Sequence, residues 1–221
     1  MDEIVRAVER AIVDVPDASE LASAKINLAL HVTGRRADGY HNLETVVAFA
    51  DFADVLTATP SSSERTRMTV RGPFAGALGD TEPESNLVMR AAAELARAAG
   101  RRRLPVRQLT LTKRIPVAAG LGGGSADAPA TLRLLNREWG LNLDEAALLA
   151  VARRLGADVP MCLLSRPLIA RGIGEEITPV HGLPPMPIVL AHPGIQMATP
   201  PVFAKLAKVT NSPLPPLPPR F

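Results

Sequence analysis

Between residues 116 and 136 the chain reads PVAAGLGGGSADAPATLRLLN, and this stretch limits the possible folds more than any other. Gly120, Gly122, Gly123 and Gly124 reach positive φ freely and let a backbone approach a ligand closely. The preceding residues 106–113 read as a strand, with Leu109 and Leu111 on one face. The following residues carry Leu132 and Leu135 at helical spacing, which predicts a helix with a buried leucine face. In a strand–glycine turn–helix unit, backbone N–H groups can converge on one point, and the helix dipole adds positive potential there. A nucleotide phosphate suits that chemistry, and Ser125 offers a hydroxyl to a phosphate or to Mg2+. The segment lacks the Gly-Lys-Ser/Thr ending of a P-loop and the G-x-G-x-x-G spacing of a dinucleotide fingerprint. A flexible linker is the competing explanation, but linkers are seldom flanked by a strand and a leucine-faced helix.

The rest of the chain reads as mixed α and β. Residues 2–13 have helical spacing, with Ile4, Val5, Val8 and Ile12 on one side, and Pro16 ends the pattern. Strands are predicted over 26–32 and 44–50, separated by the turn-rich GRRADGYHN, and again over 67–71. Helices are predicted over 86–99, between Asn86 as cap and Gly100 as stop, and over 145–155, between Asp144 and Gly156. Near the end, PIVLA from residue 187 reads as an apolar strand, and NSPLPPLPPRF as an extended segment.

Composition narrows the function. Apolar residues make up 47% and charged residues 21%, enough for a globular core, and aromatics only 3%. A net charge of +3 suits an acidic small molecule and gives no case for nucleic acid. The cluster Arg101, Arg102 and Arg103 reads as a solvated loop. Cys162 is the single cysteine, so no intramolecular disulfide forms, and its apolar neighbours predict a buried thiol. His31, His41, His181 and His192 have no zinc-ligand spacing. No apolar run reaches membrane-spanning length and the N-terminus lacks a signal-peptide pattern, so a cytoplasmic location is expected.

Three further positions stand out. Lys25 opens an alternating apolar strand and needs either solvent or a partner there. Tyr40, the only tyrosine, adjoins His41 in a glycine-flanked turn, where the pair can stack on a base or simply cap the turn. Asp158, in LGADVP, needs a donor or cation if buried, or else bonds its local N–H groups as a turn residue. Residue type alone leaves these alternatives open.

The loop Pro116-Val117-Ala118-Ala119-Gly120-Leu121-Gly122-Gly123-Gly124-Ser125-Ala126 resembles the ATP-binding motif of the GHMP kinases, a family that includes galactokinase, homoserine kinase and mevalonate kinase. The order AKINL, GRRADGYH, GLGGGSADA, LGADVP, G-x-G-E near 172–175 and AHPG at 191–194 is similar to one branch of it. That branch uses ATP to phosphorylate the 2-hydroxyl of a cytidine-diphosphate-linked methylerythritol, in the non-mevalonate route to isoprenoids. The likeness extends over roughly residues 22 to 203. It implies an α+β GHMP fold. Residues 1–20 would be an extension, 21–180 an ATP-binding domain of the ribosomal-protein-S5 domain-2 type with a left-handed β-α-β unit, and 181–221 the start of a second α/β sandwich domain. It implies Lys25 and Asp158 as the catalytic pair, and Asn27, Tyr40, His41, Thr199 and Phe203 as substrate contacts. ATP would lie on the glycine loop, with Mg2+ held by Ser125 and the nucleotide. The partner is a small molecule, with neither nucleic acid nor membrane involved. Other readings are a GHMP kinase for a different alcohol, and a binding module that holds a nucleotide without chemistry.

Two departures carry expectations of their own. Family chains continue further and hold a later G-S-G-A-T-like motif, so an incomplete second domain with uncovered apolar faces is expected. Pro129 interrupts the expected helix. A start at Ser125 would make it cost up to ~3 kcal/mol, and a start one or two residues later would remove most of that cost.

Overall fold

The computed structural model describes residues 18–78, 83–197 and 199–217. The helix expected over 2–13 lies outside the described residues. Strands β1 (Ser19–Arg35) and β2 (His41–Pro60) form a long antiparallel hairpin. Its turn closes through Arg36 N–H to the Tyr40 carbonyl at 2.7 Å, and Asp38 accepts the Tyr40 N–H at 3.1 Å. Both strands outrun the predicted 26–32 and 44–50. Residues 19–25 carry few β-branched side chains, so pairing with β2 rather than local propensity makes them a strand.

β3 (Arg67–Arg71), helix α1 (Leu87–Ala99) and β4 (Arg107–Thr112) form a β-α-β unit, in which Val70 pairs with Leu111 in parallel. The Asn86 side chain accepts the Val88 N–H at 2.9 Å, and Gly100 ends α1 at φ 60°. After the glycine loop come α2 (Gly123–Glu138), α3 (Glu145–Ala152) and α4 (Val159–Leu164), then β5 (Leu168–Gly172) and β6 (Glu176–Pro179). The sheet order is β3-β4-β2-β5-β6, with β1 along the other edge of β2. Fully buried Leu56, Leu109, Leu111, Leu95, Leu132 and Leu135 join the sheet to α1 and α2. Each such side chain contributes about 1.5–3 kcal/mol of burial.

Three expectations need correction. The helix predicted over 145–155 stops at Ala152, because Arg154 and Leu155 bond three residues back and tighten the last turn. Arg101 is not merely solvated: its guanidinium donates to the Trp139 and Gly140 carbonyls and closes the end of α2. PIVLA at 187–191 forms no strand. No ladder partner reaches it among the described residues, and its Val189 is 96% exposed. Beyond it, α5 (Thr199–Ala204) is followed by an extended run to residue 217. That run bonds to the hairpin through Asn211 to the Val32 carbonyl and Leu214 N–H to Glu44. Among the described residues, no helix is long and apolar enough to cross a membrane.

Candidate active site

A cleft of about 1320 Å3 opens between the start of β1, the hairpin turn, the glycine loop, the start of α4 and the segment 192–204. Its floor begins at a bulge. The β1–β2 register shifts between Ser23 and Lys25, which frees the Lys25 N–H to donate to the Leu121 carbonyl at 2.8 Å. Bulges of this kind re-aim the side chain that follows. Lys25, 7% exposed, then points along the cleft, donating to Asn27 Oδ1 at 3.0 Å and lying 3.6 Å from Asp158 Oδ2. Asn27 in turn donates to Thr45 Oγ1 at 2.7 Å, and Thr45 donates to the Ala29 carbonyl at 2.8 Å. The ammonium is therefore held by a chain anchored on two strands.

Asp158 occupies the position before α4, yet its side chain caps no N–H group of that helix. Pro160 removes one of the donors a cap would serve. The carboxylate is left to Lys25, and its side chain stays 42% exposed toward the cleft. This resolves both open alternatives: Lys25 is partnered and Asp158 is not a local turn cap. Gly174, at φ +115°, passes over this pair, with its missing Cβ 3.6 Å from Asp158 Oδ1.

The glycine loop turns beside the pair. Gly122 immediately precedes α2 at φ +65°, and a Cβ there would meet Lys25 Cβ at 3.1 Å. Only a glycine fits both the left-handed turn and the lysine stem. Gly123, Gly124 and the half-buried Ser125, whose N–H groups belong to the unpaired first turn of α2, line the cleft. α2 starts before Ser125, so Pro129 lies inside the helix and carries the larger cost foreseen above. Such a cradle of free N–H groups and positive dipole fits a triphosphate. Among the described residues, no group of three His, Cys, Asp or Glu side chains could hold a metal. Mg2+ would be held there by Ser125 together with the nucleotide's own oxygens.

At the far end, His41 and Phe203 stack with ring centroids 5.2 Å apart, tilted by 35°. Tyr40, Thr199 and Met197 also line the cleft, and the Met197 N–H donates to the Ala118 carbonyl of the glycine loop at 3.0 Å. All the residues expected at the site, from Lys25 to Phe203, except Ala126 line this one cleft. Ala126 is buried in α2 behind it.

Comparison with known proteins accords with this geometry. Residues 86–166 match the model of the GHMP kinases N terminal domain. A 4-diphosphocytidyl-2-C-methyl-D-erythritol kinase of Rhizobium johnstonii is 54% identical over 193 residues, 87% of this chain and 62% of that protein. One of Rhizobium etli is 50% identical over 206 residues, 93% of this chain and 69% of that protein. The chain belongs to the 4-diphosphocytidyl-2-C-methyl-D-erythritol kinase family. It spans about two thirds of the length of those two relatives. A solved 4-(cytidine 5'-diphospho)-2C-methyl-D-erythritol kinase superposes with a TM-score of 0.60 at 42% identity, over 75% of this chain and 56% of that one. The mevalonate kinase of Methanococcus jannaschii shares the fold at 10% identity, with a TM-score of 0.55 over 74% of this chain and 56% of that one.

In this member of the family, sequence reasoning missed four polar residues around the site. Thr45 is one. The others form a buried triad, in which Lys113 donates to Asp54 and, at 2.9 Å, to Asp127. Burial works against the Lys113 charge, but Asp127 and Asp54 outweigh it and raise its pKa. Burial pushes Asp127 up to about 7 against the pull of Lys113. A signal was present: Leu109, Leu111 and Lys113 alternate onto one face, and that face is buried. Cys162 is buried as expected, and burial pushes its thiol up to about 12.

Proposed function

We propose that this chain carries the site of a kinase that transfers the γ-phosphoryl group of ATP to the 2-hydroxyl of 4-diphosphocytidyl-2-C-methyl-D-erythritol, in the non-mevalonate route to isoprenoids. The observation that carries the reading is the Lys25–Asp158 pair, 3.6 Å apart beside the N-terminus of α2.

In this reading Asp158 accepts the hydroxyl proton as the oxygen bonds to the γ-phosphorus and the bond to the bridging oxygen breaks. ADP leaves with the electrons of that bond. Lys25, fixed by Asn27 and Thr45, lies 3.6 Å from the Asp158 carboxylate and orients the hydroxyl beside it. The N–H groups of the glycine loop and the Ser125 hydroxyl meet the charge on the phosphoryl oxygens. Mg2+, held by Ser125 and the nucleotide, would supply further neutralisation of that charge. The His41–Phe203 stack, with Tyr40 and Thr199, would take the cytidine base, because stacked rings offer a flat apolar face with polar edges. Residues 21–180 then act as the ATP-binding domain and 181–221 as the start of a different, C-terminal α/β sandwich domain.

The test is ADP release from ATP and Mg2+ with and without the methylerythritol substrate, for the wild-type chain and Asp158→Asn. Substrate-dependent turnover that disappears in Asp158→Asn is expected. Turnover that survives the substitution refutes the role given to Asp158. ATP binding without turnover would instead identify a nucleotide-holding module, and a preference for another alcohol would move the chain to a different GHMP substrate.

A further inference from the structure

We infer that the buried triad Asp54–Lys113–Asp127 is a clamp that fixes both ends of the glycine loop, and that Asp127 is a positioning residue for the bound nucleotide. The inference rests on the nucleotide reading of that loop.

The loop leaves the sheet where β4 parts from β2 after Thr112. From there Asp54 replaces the strand ladder. Its Oδ1 accepts the Ile115 N–H at 2.8 Å and also the Arg114 N–H. Its Oδ2 takes the Lys113 ammonium. The same ammonium reaches Asp127 Oδ2 at 2.9 Å, in the second turn of α2. One nitrogen thus ties the residues entering the loop to the helix leaving it. The two ends are in contact: a Cβ on Gly123 would lie 3.2 Å from Ile115 Cγ2 and 3.3 Å from Lys113 Nζ. Between them, residues 116–122 contain no regular structure. Their N–H groups can stay aimed at a phosphate only if the ends are held.

The composition of the clamp supports this. Two carboxylates and one ammonium are buried together, with Asp54 0% and Asp127 3% exposed, and Asp127 Oδ1 has no hydrogen-bond partner among the described residues. Burying an excess carboxylate beneath an anion site works against both folding and phosphate binding. A single carboxylate would neutralise Lys113. The second one is needed to reach α2.

This gives a test whose sign separates position from charge. At pH 8 Asp127→Ala removes a negative charge below the phosphate site, so a purely electrostatic role makes ATP bind more tightly. Loss of the clamp makes it bind more weakly, by about tenfold for one charge-assisted hydrogen bond. Asp127→Asn lacks the charge but keeps the acceptor, so it rescues ATP binding. The Asp54–Lys113 pair left in Asp127→Ala is balanced in charge, which favours folding of that variant. Calorimetric titration of ATP with Mg2+ reads affinity. Hydrogen exchange of amides 117–126 without nucleotide reads the loop directly, and is expected to quicken in Asp127→Ala alone. ATP affinity equal to or above wild type in Asp127→Ala, or unchanged loop exchange, overturns the clamp. If the wild-type chain binds no ATP, the nucleotide reading fails while the exchange comparison still decides the clamp. Should Asp127→Ala not fold, Asp54→Asn/Lys113→Met/Asp127→Leu replaces the triad by neutral groups of similar size. Faster loop exchange at unchanged global stability then supports the clamp, and wild-type exchange overturns it.

Discussion

Gly122→Ala tests the fit between the glycine loop and Lys25. The left-handed backbone at φ +65° costs an alanine about 1–2 kcal/mol anywhere in the chain. Here the new methyl also meets the Lys25 stem at 3.1 Å from Cβ and 3.2 Å from Cε. The stem cannot retreat freely, because the Lys25 N–H bonds the Leu121 carbonyl and the ammonium is bonded to Asn27. Overpacking of that kind adds about 1–3 kcal/mol. Gly140→Ala supplies the comparison, since Gly140 has φ +57° and, among the described residues, nothing within 4 Å of its missing Cβ. Urea denaturation should show Gly140→Ala losing about 1–2 kcal/mol and Gly122→Ala about 2–5 kcal/mol. Equal losses would refute the reasoning: the lysine would then give way at no cost, and the loop would not be seated on it.

Three further outcomes follow. Lys113→Met leaves two buried carboxylates facing each other and should cost about 3–5 kcal/mol in urea denaturation. Thr45→Val strands the Asn27 amide and frees the Ala29 carbonyl. It should cost about 1–3 kcal/mol, and any phosphotransfer should fall because Lys25 loses its anchor. Asp127 has its pKa raised in the folded state from 3.8 to about 7, so the native protein binds that proton more tightly than the unfolded chain. Its contribution to stability is then lost as pH rises from about 4 to about 7. Denaturation at pH 5 and pH 8 should show Asp127→Asn gaining on wild type at the higher pH, and no gain would contradict the assignment.

Much of this was legible in the sequence because local chemistry dictated it. Asn86 and Gly100 bracket α1 by capping, and the glycine run announces a loop at a helix start. The family resemblance of AKINL, GRRADGYH and LGADVP, rather than local chemistry, grouped Lys25, Tyr40, His41 and Asp158, and all four line the cleft. Local reading failed where distant segments decide the outcome. PIVLA has strand propensity, but propensity cannot supply a neighbour. Lys113 and Asp127 looked like ordinary polar residues of a strand end and a helix, since their partner Asp54 is 59 and 73 positions from them by subtraction of their numbers. Thr45 escaped notice because its hydroxyl matters only once β1 lies beside β2.

One strand ends up measuring out the whole site. β2 pairs with β1, β4 and β5, and it supplies both Thr45 and Asp54. Because side chains alternate along a strand, a single inserted residue between 45 and 54 turns one of these two away while the other stays in place. Genetic change in length is therefore confined to the connections. The loop at 61–66 can grow or shrink without disturbing the spacing between Thr45 and Asp54. Homologues of this chain should differ in length there and keep β2 free of gaps.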